Sequence, residues 1–244
     1  MENEKKAKLT PVFSLLEKAV KEWWKNLKKF ILVYFWGLLF SLLPVVFISI
    51  LVLANSATSL GDSMIFVSIS IFLGLWAMLF AFYFLIRTYL SMFLLLKKKY
   101  SGNELKIYNE SSSYFWSYIS LVILTLILLS LWFFALVIPA IVFSVFYSFA
   151  IFAFIFEDKK SMDAVNRSYE LVRGYFWPVF GRILLLGLVL SLVTGVIALP
   201  LDYIKSNIWL NIWTIIVQVA NLLLCPIALI FSFSIYKDLV KIKG

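Results

Sequence analysis

The chain has 244 residues, of which 63% are hydrophobic and only 14% are charged. Soluble domains hold about 45–50% apolar and about 25% charged residues, so this composition excludes a water-soluble globular protein. The net charge of +9 suggests nucleic acid or anionic lipid as a partner. The basic residues lie in separate segments beside apolar runs, which favours membrane lipids and argues against nucleic acid.

Apolar runs long enough to cross a bilayer follow one another along the chain. The uncharged stretch Ser111–Phe156 corresponds to about 69 Å of helix, whereas a hydrocarbon core is about 30 Å thick, so it must cross twice. We place the hairpin turn at Pro139, which cannot donate the next helical hydrogen bond. The sequence therefore predicts an all-α, polytopic helical bundle with six transmembrane helices: Phe30–Ala54, Met64–Leu96, Phe115–Ile138, Ala140–Phe156, Val179–Leu199 and Ile208–Tyr236.

Basic residues are segregated between the two sides of this predicted bundle. Of 22 lysines and arginines, 19 flank the span ends that face one side, and Lys205 is the single one in a loop of the other side. Arg87 and Arg182 lie within spans. By the positive-inside rule, the basic side is cytoplasmic. We therefore expect a multi-pass protein of the cell membrane with both termini in the cytoplasm.

Two basic-side segments are amphipathic. Residues 1–29 form an N-terminal region with an amphipathic helix, ahead of a six-span domain at 30–240 that contains a second such helix near 161–177. Each helix either lies at the inner membrane surface or docks on the inner face of the bundle. The apolar series are Val12, Leu16, Ala19, Trp23, Leu27 and Phe30 in the first helix, and Met162, Val165, Tyr169, Val172 and Phe176 in the second.

The second amphipathic helix also carries charged residues at helical spacing. Asp163 and Arg167 are an i, i+4 pair, and Glu170 and Arg173 are an i, i+3 pair. Arg167, Arg173 and the nearby Trp177 lie at headgroup depth. We expect these three residues to contact lipid or a partner, and the two arginines to matter more for this contact than for folding.

Several polar residues fall inside predicted spans. Arg87 lies in the cytoplasmic half of the second span, where its side chain either extends to the headgroups or faces a polar cavity. The sixth span carries a polar stripe, which forms interhelical hydrogen bonds or lines a substrate path. Cys225 is the single cysteine, and we expect it to be a small packing residue. The stripe consists of Asn211, Thr214, Gln218 and Asn221.

The residue inventory argues against catalysis. The chain has no histidine and one cysteine, so neither a histidine-assisted nucleophile nor a typical zinc site can be assembled. Phosphate-binding loops and dinucleotide fingerprints are absent from the sequence. We therefore expect a protein that is not an enzyme and that has no cofactor or metal.

The segment from Phe156 to Trp177 resembles the membrane domain family named for glycerophosphoryl diester phosphodiesterases. In that family, an acidic patch ends the fourth helix, and a pattern like A-x-x-R-S-x-E-L-V-x-G-x-x-W follows. The resemblance implies a standalone six-helix membrane protein. The histidine-dependent catalytic barrel is absent, so the activity is not carried over. The matching residues are Ala164, Arg167, Ser168, Glu170, Leu171, Val172, Gly174 and Trp177, and Ile138-Pro139-Ala140 departs slightly from the usual I-P-G turn.

Two functional hypotheses remain open from the sequence. The first is a non-enzymatic membrane protein whose amphipathic helices engage anionic lipid, a protein partner or another copy of the chain at the cytoplasmic surface. The alternative is the membrane-spanning subunit of a transporter that works with a separate ATPase, because short cytoplasmic helices between spans can couple to such a partner. The chain carries no ATP-binding motif of its own.

Overall fold

A computed structural model describes residues 9–56, 64–135, 137–202 and 207–243, and all the regular elements in these ranges are helical. The basic residues Lys5, Lys6 and Lys8, and Lys205 of the predicted outer loop, lie outside the described residues. The helices are α1 (Val12–Ser56), α2 (Met64–Lys97), α3 (Glu104–Ala135), α4 (Val137–Tyr147), α5 (Ala150–Phe156), α6 (Ser161–Val172), α7 (Phe176–Ala198) and α8 (Asn207–Lys243), with a short 3₁₀ helix at Leu199–Asp202.

Within the described residues, six helical segments are long and apolar enough to cross a membrane. This confirms the prediction of an all-α, multi-pass membrane protein. The predicted spans each fall largely within one of these segments. Their bounds are Val12–Ile50, Ser68–Lys97, Glu104–Phe133, Ile138–Phe156, Phe176–Leu201 and Asn207–Lys243.

The N-terminal amphipathic region and the first span form one continuous helix. It begins at Val12, directly after Thr10 and Pro11, and proline is common at the start of a helix. The helix continues through residue 29, where the predicted N-terminal region gives way to the first span. No proline or glycine occurs between Val12 and Trp36, so nothing in the local sequence ends the helix.

The third and fourth spans differ in detail from the prediction. The rings of Trp132 and Phe143 stack with centroids 3.9 Å apart, whereas on one straight helix they would be about 16 Å apart, so the chain reverses between them. The predicted turn at Pro139 is wrong in position, since α4 already begins at Val137. Pro139 lies in the first helical turn, where its missing N–H costs nothing.

The fourth span is also not a single helix. It is divided into α4 and α5 by a turn at Ser148 and Phe149. The sequence here contains neither proline nor glycine, and therefore no local signal marked the break. The partner that stabilises it is a side chain of α6, described below.

The helices form two compact units. The first comprises Met1–Leu27 and Ser117–Gly244, and the second comprises Lys28–Trp116. In the first unit, the core lies at the basic-side ends of α5 and α8, where aromatic rings of Phe152, Phe156, Phe233 and Tyr236 pack together. In the second unit, α1 and α2 approach closely at Gly37. A Cβ atom on that residue would lie 1.9 Å from Oγ1 of Thr88.

Candidate functional site

Helix α6 is docked on its own bundle. Its residues Ala164, Val165, Leu171 and Val172 are buried, and α6 contacts α4, α5 and α8. Of the predicted apolar series, Met162 is instead exposed. Tyr169 and Phe176 pack against Phe146 of α4, with ring centroids 4.8 and 5.7 Å apart. Two alternatives were left open for this helix, lying at the inner membrane surface or docking on the bundle. The buried face of the helix agrees with docking on the bundle.

Ser168 explains both the burial of α6 and the break in the fourth span. The Phe149 backbone N–H donates to the Ser168 hydroxyl oxygen at 3.1 Å. The same hydroxyl donates to the Phe146 carbonyl at 2.6 Å. A helix break inside a span leaves backbone groups that must find partners, because lipid offers none. Ser168, which is fully buried, supplies one donor and one acceptor there.

Arg167 forms an ion pair within the protein. Its Nε donates to both carboxylate oxygens of Glu157, at 2.9 and 3.2 Å. The Tyr236 hydroxyl donates to the same carboxylate at 2.7 Å. This arrangement joins the end of α5 to α6 and α8. Among the described residues, Arg167 pairs with Glu157 and more distantly with Glu170, at 4.0 Å, rather than with Asp163 as the spacing suggested.

Arg173 and Trp177 have a different environment from Arg167. Both are exposed, and 76% of the Trp177 surface is accessible. Between them, Gly174 has φ +87°, which ends α6 in a conformation that glycine adopts most readily. The Lys243 ammonium donates to the carbonyl oxygens of Glu170 and Arg173. The α6–α7 junction is therefore fixed through its backbone while these two side chains stay accessible.

The N-terminal part of α1 has two distinct faces. Leu15 and Ala19 are buried, and Ala19 belongs to the predicted apolar series. On another side of the helix, Phe13 is 77% exposed and Trp24 is 70% exposed. We call these exposed apolar residues and their basic neighbours the lysine–aromatic face. It consists of Phe13, Val20 and Trp24 together with Lys18, Lys21 and Lys25.

The aromatic half of this face was not among the residues predicted from the sequence. Phe13, Val20 and Trp24 are separated by seven and four residues, so a second apolar stripe was present in the pattern. The stripe containing Ala19 is longer, and only that stripe was interpreted as the apolar face of the helix. The structure separates the two stripes because it shows which one is covered.

The start of α1 is held at the basic ends of α7 and α8. The Thr10 backbone N–H donates to the Asp238 carboxylate at 3.1 Å. The Thr10 carbonyl accepts from the Arg182 guanidinium at 2.9 Å. Because Arg182 and Asp238 lie toward the basic-side ends of their helices, the segment Val12–Leu27 begins beside those ends.

Arg87 belongs to the second unit and is buried, with 8% of its surface accessible. Its guanidinium donates to the Tyr108 carbonyl at 2.8 Å and to the Ser111 hydroxyl at 3.3 Å. It also lies 4.6 Å from the Tyr108 ring centroid. The side chain thus reaches toward the basic-side part of α3, and its partners there are protein groups.

The polar stripe of α8 is only partly used inside the chain. The Thr194 hydroxyl of α7 contacts the Asn221 amide oxygen at 2.9 Å, an interhelical hydrogen bond of the predicted kind. Thr214 donates to the Leu210 carbonyl of its own helix. Asn211 and Gln218 are exposed, and neither side chain has a hydrogen-bond partner within the described ranges. Cys225 is exposed too, so the expectation that it packs inside is wrong.

Comparison with known proteins gives one result. No curated protein and no solved structure matches the chain. A family model matches residues 112–239, more than half of the chain, and covers most of the longer segment of the first unit. The match does not test the resemblance to the phosphodiesterase-named membrane family, which stays a prediction. The chain belongs to the family described as Domain of unknown function (DUF7847).

Proposed function

We propose that this protein is a non-enzymatic protein of the cell membrane that binds anionic lipid headgroups at its basic, cytoplasmic side. The observation that carries the proposal is the lysine–aromatic face of α1. The helix already buries one face, through Leu15 and Ala19, and yet leaves Phe13 and Trp24 accessible beside lysines. Large aromatic side chains are costly to leave in water, so this second face has its own partner.

The chemistry of the face fits a membrane surface. Tryptophan is enriched at the headgroup level, where its apolar ring and polar N–H both find suitable surroundings. Of the exposed charged residues between Val12 and Leu27, three are lysines and one is Glu17, which pairs with Lys21 at 2.6 Å. Such an exposed pair is weak, and the face remains positive. Each lysine near an anionic surface contributes about 1 kcal/mol.

Position supports the same proposal. Thr10 is hydrogen-bonded to Arg182 and Asp238, near the basic ends of two spans, and in this proposal the following helix begins close to the bilayer boundary. Arg173 and Trp177 extend the lipid-facing set from the α6–α7 junction, because both are exposed. Arg167 is a weaker candidate for lipid contact, since its guanidinium is occupied by Glu157.

Lipid titration with detection by native mass spectrometry tests this proposal. Purified protein would be titrated with anionic phosphatidylglycerol and, separately, with neutral phosphatidylcholine. We expect the double substitution Lys21→Gln and Lys25→Gln to weaken the preference for the anionic lipid by about 30-fold, because two lysines contribute about 2 kcal/mol. Trp24→Ala should weaken the binding of both lipids.

The matched control is Lys21→Arg with Lys25→Arg, which keeps both charges and should keep the preference. Thermal unfolding of all variants would show whether the fold is intact. An unchanged anionic preference in the glutamine variant, with an unchanged melting temperature, would contradict the proposal. Co-purification of an ATPase from native membranes would instead favour the transporter alternative.

A further inference from the structure

Helix α8 presents an exposed seam with the spacing of a coiled coil. Successive members are three and four residues apart, as are the a and d positions of a heptad repeat. Ile208 is 71% exposed and Ile215 is 59% exposed. Leu222 is half-buried, and the other members are exposed. We call this set the α8 seam. It consists of Ile208, Asn211, Ile215, Gln218, Leu222 and Cys225.

Gln218 lies inside the candidate membrane-spanning segment Asn207–Lys243, away from both of its ends. It is about 16 Å from Asn207 at one end and about 28 Å from Lys237 at the other, and the hydrocarbon core is about 30 Å thick. No side-chain hydrogen bond to Gln218 occurs within the part of the chain that the structure describes. Lipid tails cannot supply one, and so an exposed amide at this depth is unfavourable.

A second copy of the chain can satisfy this amide. A carboxamide carries both donors and an acceptor, and two facing glutamines can therefore bond to each other. Copies inserted in one membrane share the same orientation, so a two-fold axis along the bilayer normal brings each seam position opposite itself. Asn211 and Gln218 are seven residues apart and occupy equivalent heptad positions. Polar residues at such positions fix the register of paired helices.

We propose that the protein forms a symmetric, parallel dimer through the α8 seam, with Gln218 paired to Gln218 of the second copy. Isoleucine and leucine side chains of the seam pack around the amides. The dimer is independent of lipid binding by α1, because the two surfaces share no residue.

The native cysteine provides a direct test. Cys225 lies on the α8 seam, so mild oxidation with copper phenanthroline in native membranes should link two copies through Cys225 and give a dimer on non-reducing gels. Cys225→Ser should abolish the product. In that background, Leu222→Cys, on the seam, should restore it. Ile216→Cys, which is exposed on another side of the same helix, should not.

A second measurement concerns the amide itself. Gln218→Leu should raise the dissociation constant of the dimer in nanodiscs or lipid vesicles about 3- to 10-fold, as expected for the loss of one or two intramembrane hydrogen bonds. Ile216→Leu is the matched control and should leave it unchanged. If Gln218→Leu fails to fold, Gln218→Met gives the same test. Equal cross-linking at Ile216→Cys and at the seam positions, or a strictly monomeric wild-type protein in vesicles, would overturn the proposal.

Discussion

The carboxylate of Glu157 shows how one side chain can fix an amphipathic segment. It accepts hydrogen bonds from Arg167 of α6 and from Tyr236 of α8. The pair is largely shielded, with 17% of the Arg167 side chain and 22% of the Glu157 side chain accessible. A shielded charge that loses its partner keeps its desolvation cost without compensation. The geometry thus gives Arg167 a structural role that its sequence position did not reveal.

Replacing Arg167 should separate this role from lipid contact. We expect Arg167→Gln to lower the free energy of unfolding by about 1–3 kcal/mol, because the Glu157 carboxylate loses the Arg167 Nε–H donor that its two oxygens share. Arg173→Gln is the matched control, and its stability should change by no more than about 0.5 kcal/mol, since its side chain is exposed. Thermal unfolding in detergent measures both. Equal stability of the two variants would contradict the structural role of Arg167.

Small residues, rather than the largest apolar ones, decide how the elements pack. The face that α6 buries is centred on Ala164, Ser168 and Leu171, not on the series that begins at Met162. A periodic pattern indicates that a helix has an apolar side but defines its centre only to within a residue or so. Ser168 is a polar residue, so the apolar pattern did not include it in the buried face. Its burial follows from the broken backbone of the fourth span, which only the tertiary structure shows.

Gly37 is the site where two elements come closest. In Gly37→Ala, the new Cβ would lie 1.9 Å from Oγ1 and 2.9 Å from Cβ of Thr88. We expect a loss of about 1–3 kcal/mol in stability from overpacking. Adding Thr88→Ala removes the nearest atom and should recover part of the loss. Gly187→Ala in α7, where nothing lies within 4 Å, is the control and should be neutral or slightly stabilising. A neutral Gly37→Ala variant would contradict the close approach.

At the scale of the whole molecule, orientation is the property that governs the proposed function. The segregation of basic residues predicts cytoplasmic termini. Reporter fusions at Tyr100, Ser161 and Gly244 should give a cytoplasmic signal, and fusions at Gly61 and Ser206 should give the opposite one. Fusions that place Gly61 and Ser161 on the same side would refute the topology.

The sequence by itself determined that this chain is a membrane protein, that it has six spans and that it belongs to the all-α class. These properties are sums over many residues, and a local exception does not change them. The same reasoning located Arg87, Arg167 and the stripe containing Gln218.

Only the tertiary structure decided what those residues contact. Arg167 pairs with Glu157 and not with Asp163. Ser168 stabilises a helix break that no proline or glycine marks. The outward face of α1 carries Trp24. The physical reason is that helical periodicity fixes which residues share a side, whereas burial and pairing depend on segments far apart in the chain. Gln218 follows the same rule, since its exposure is set by how α7 and α8 pack.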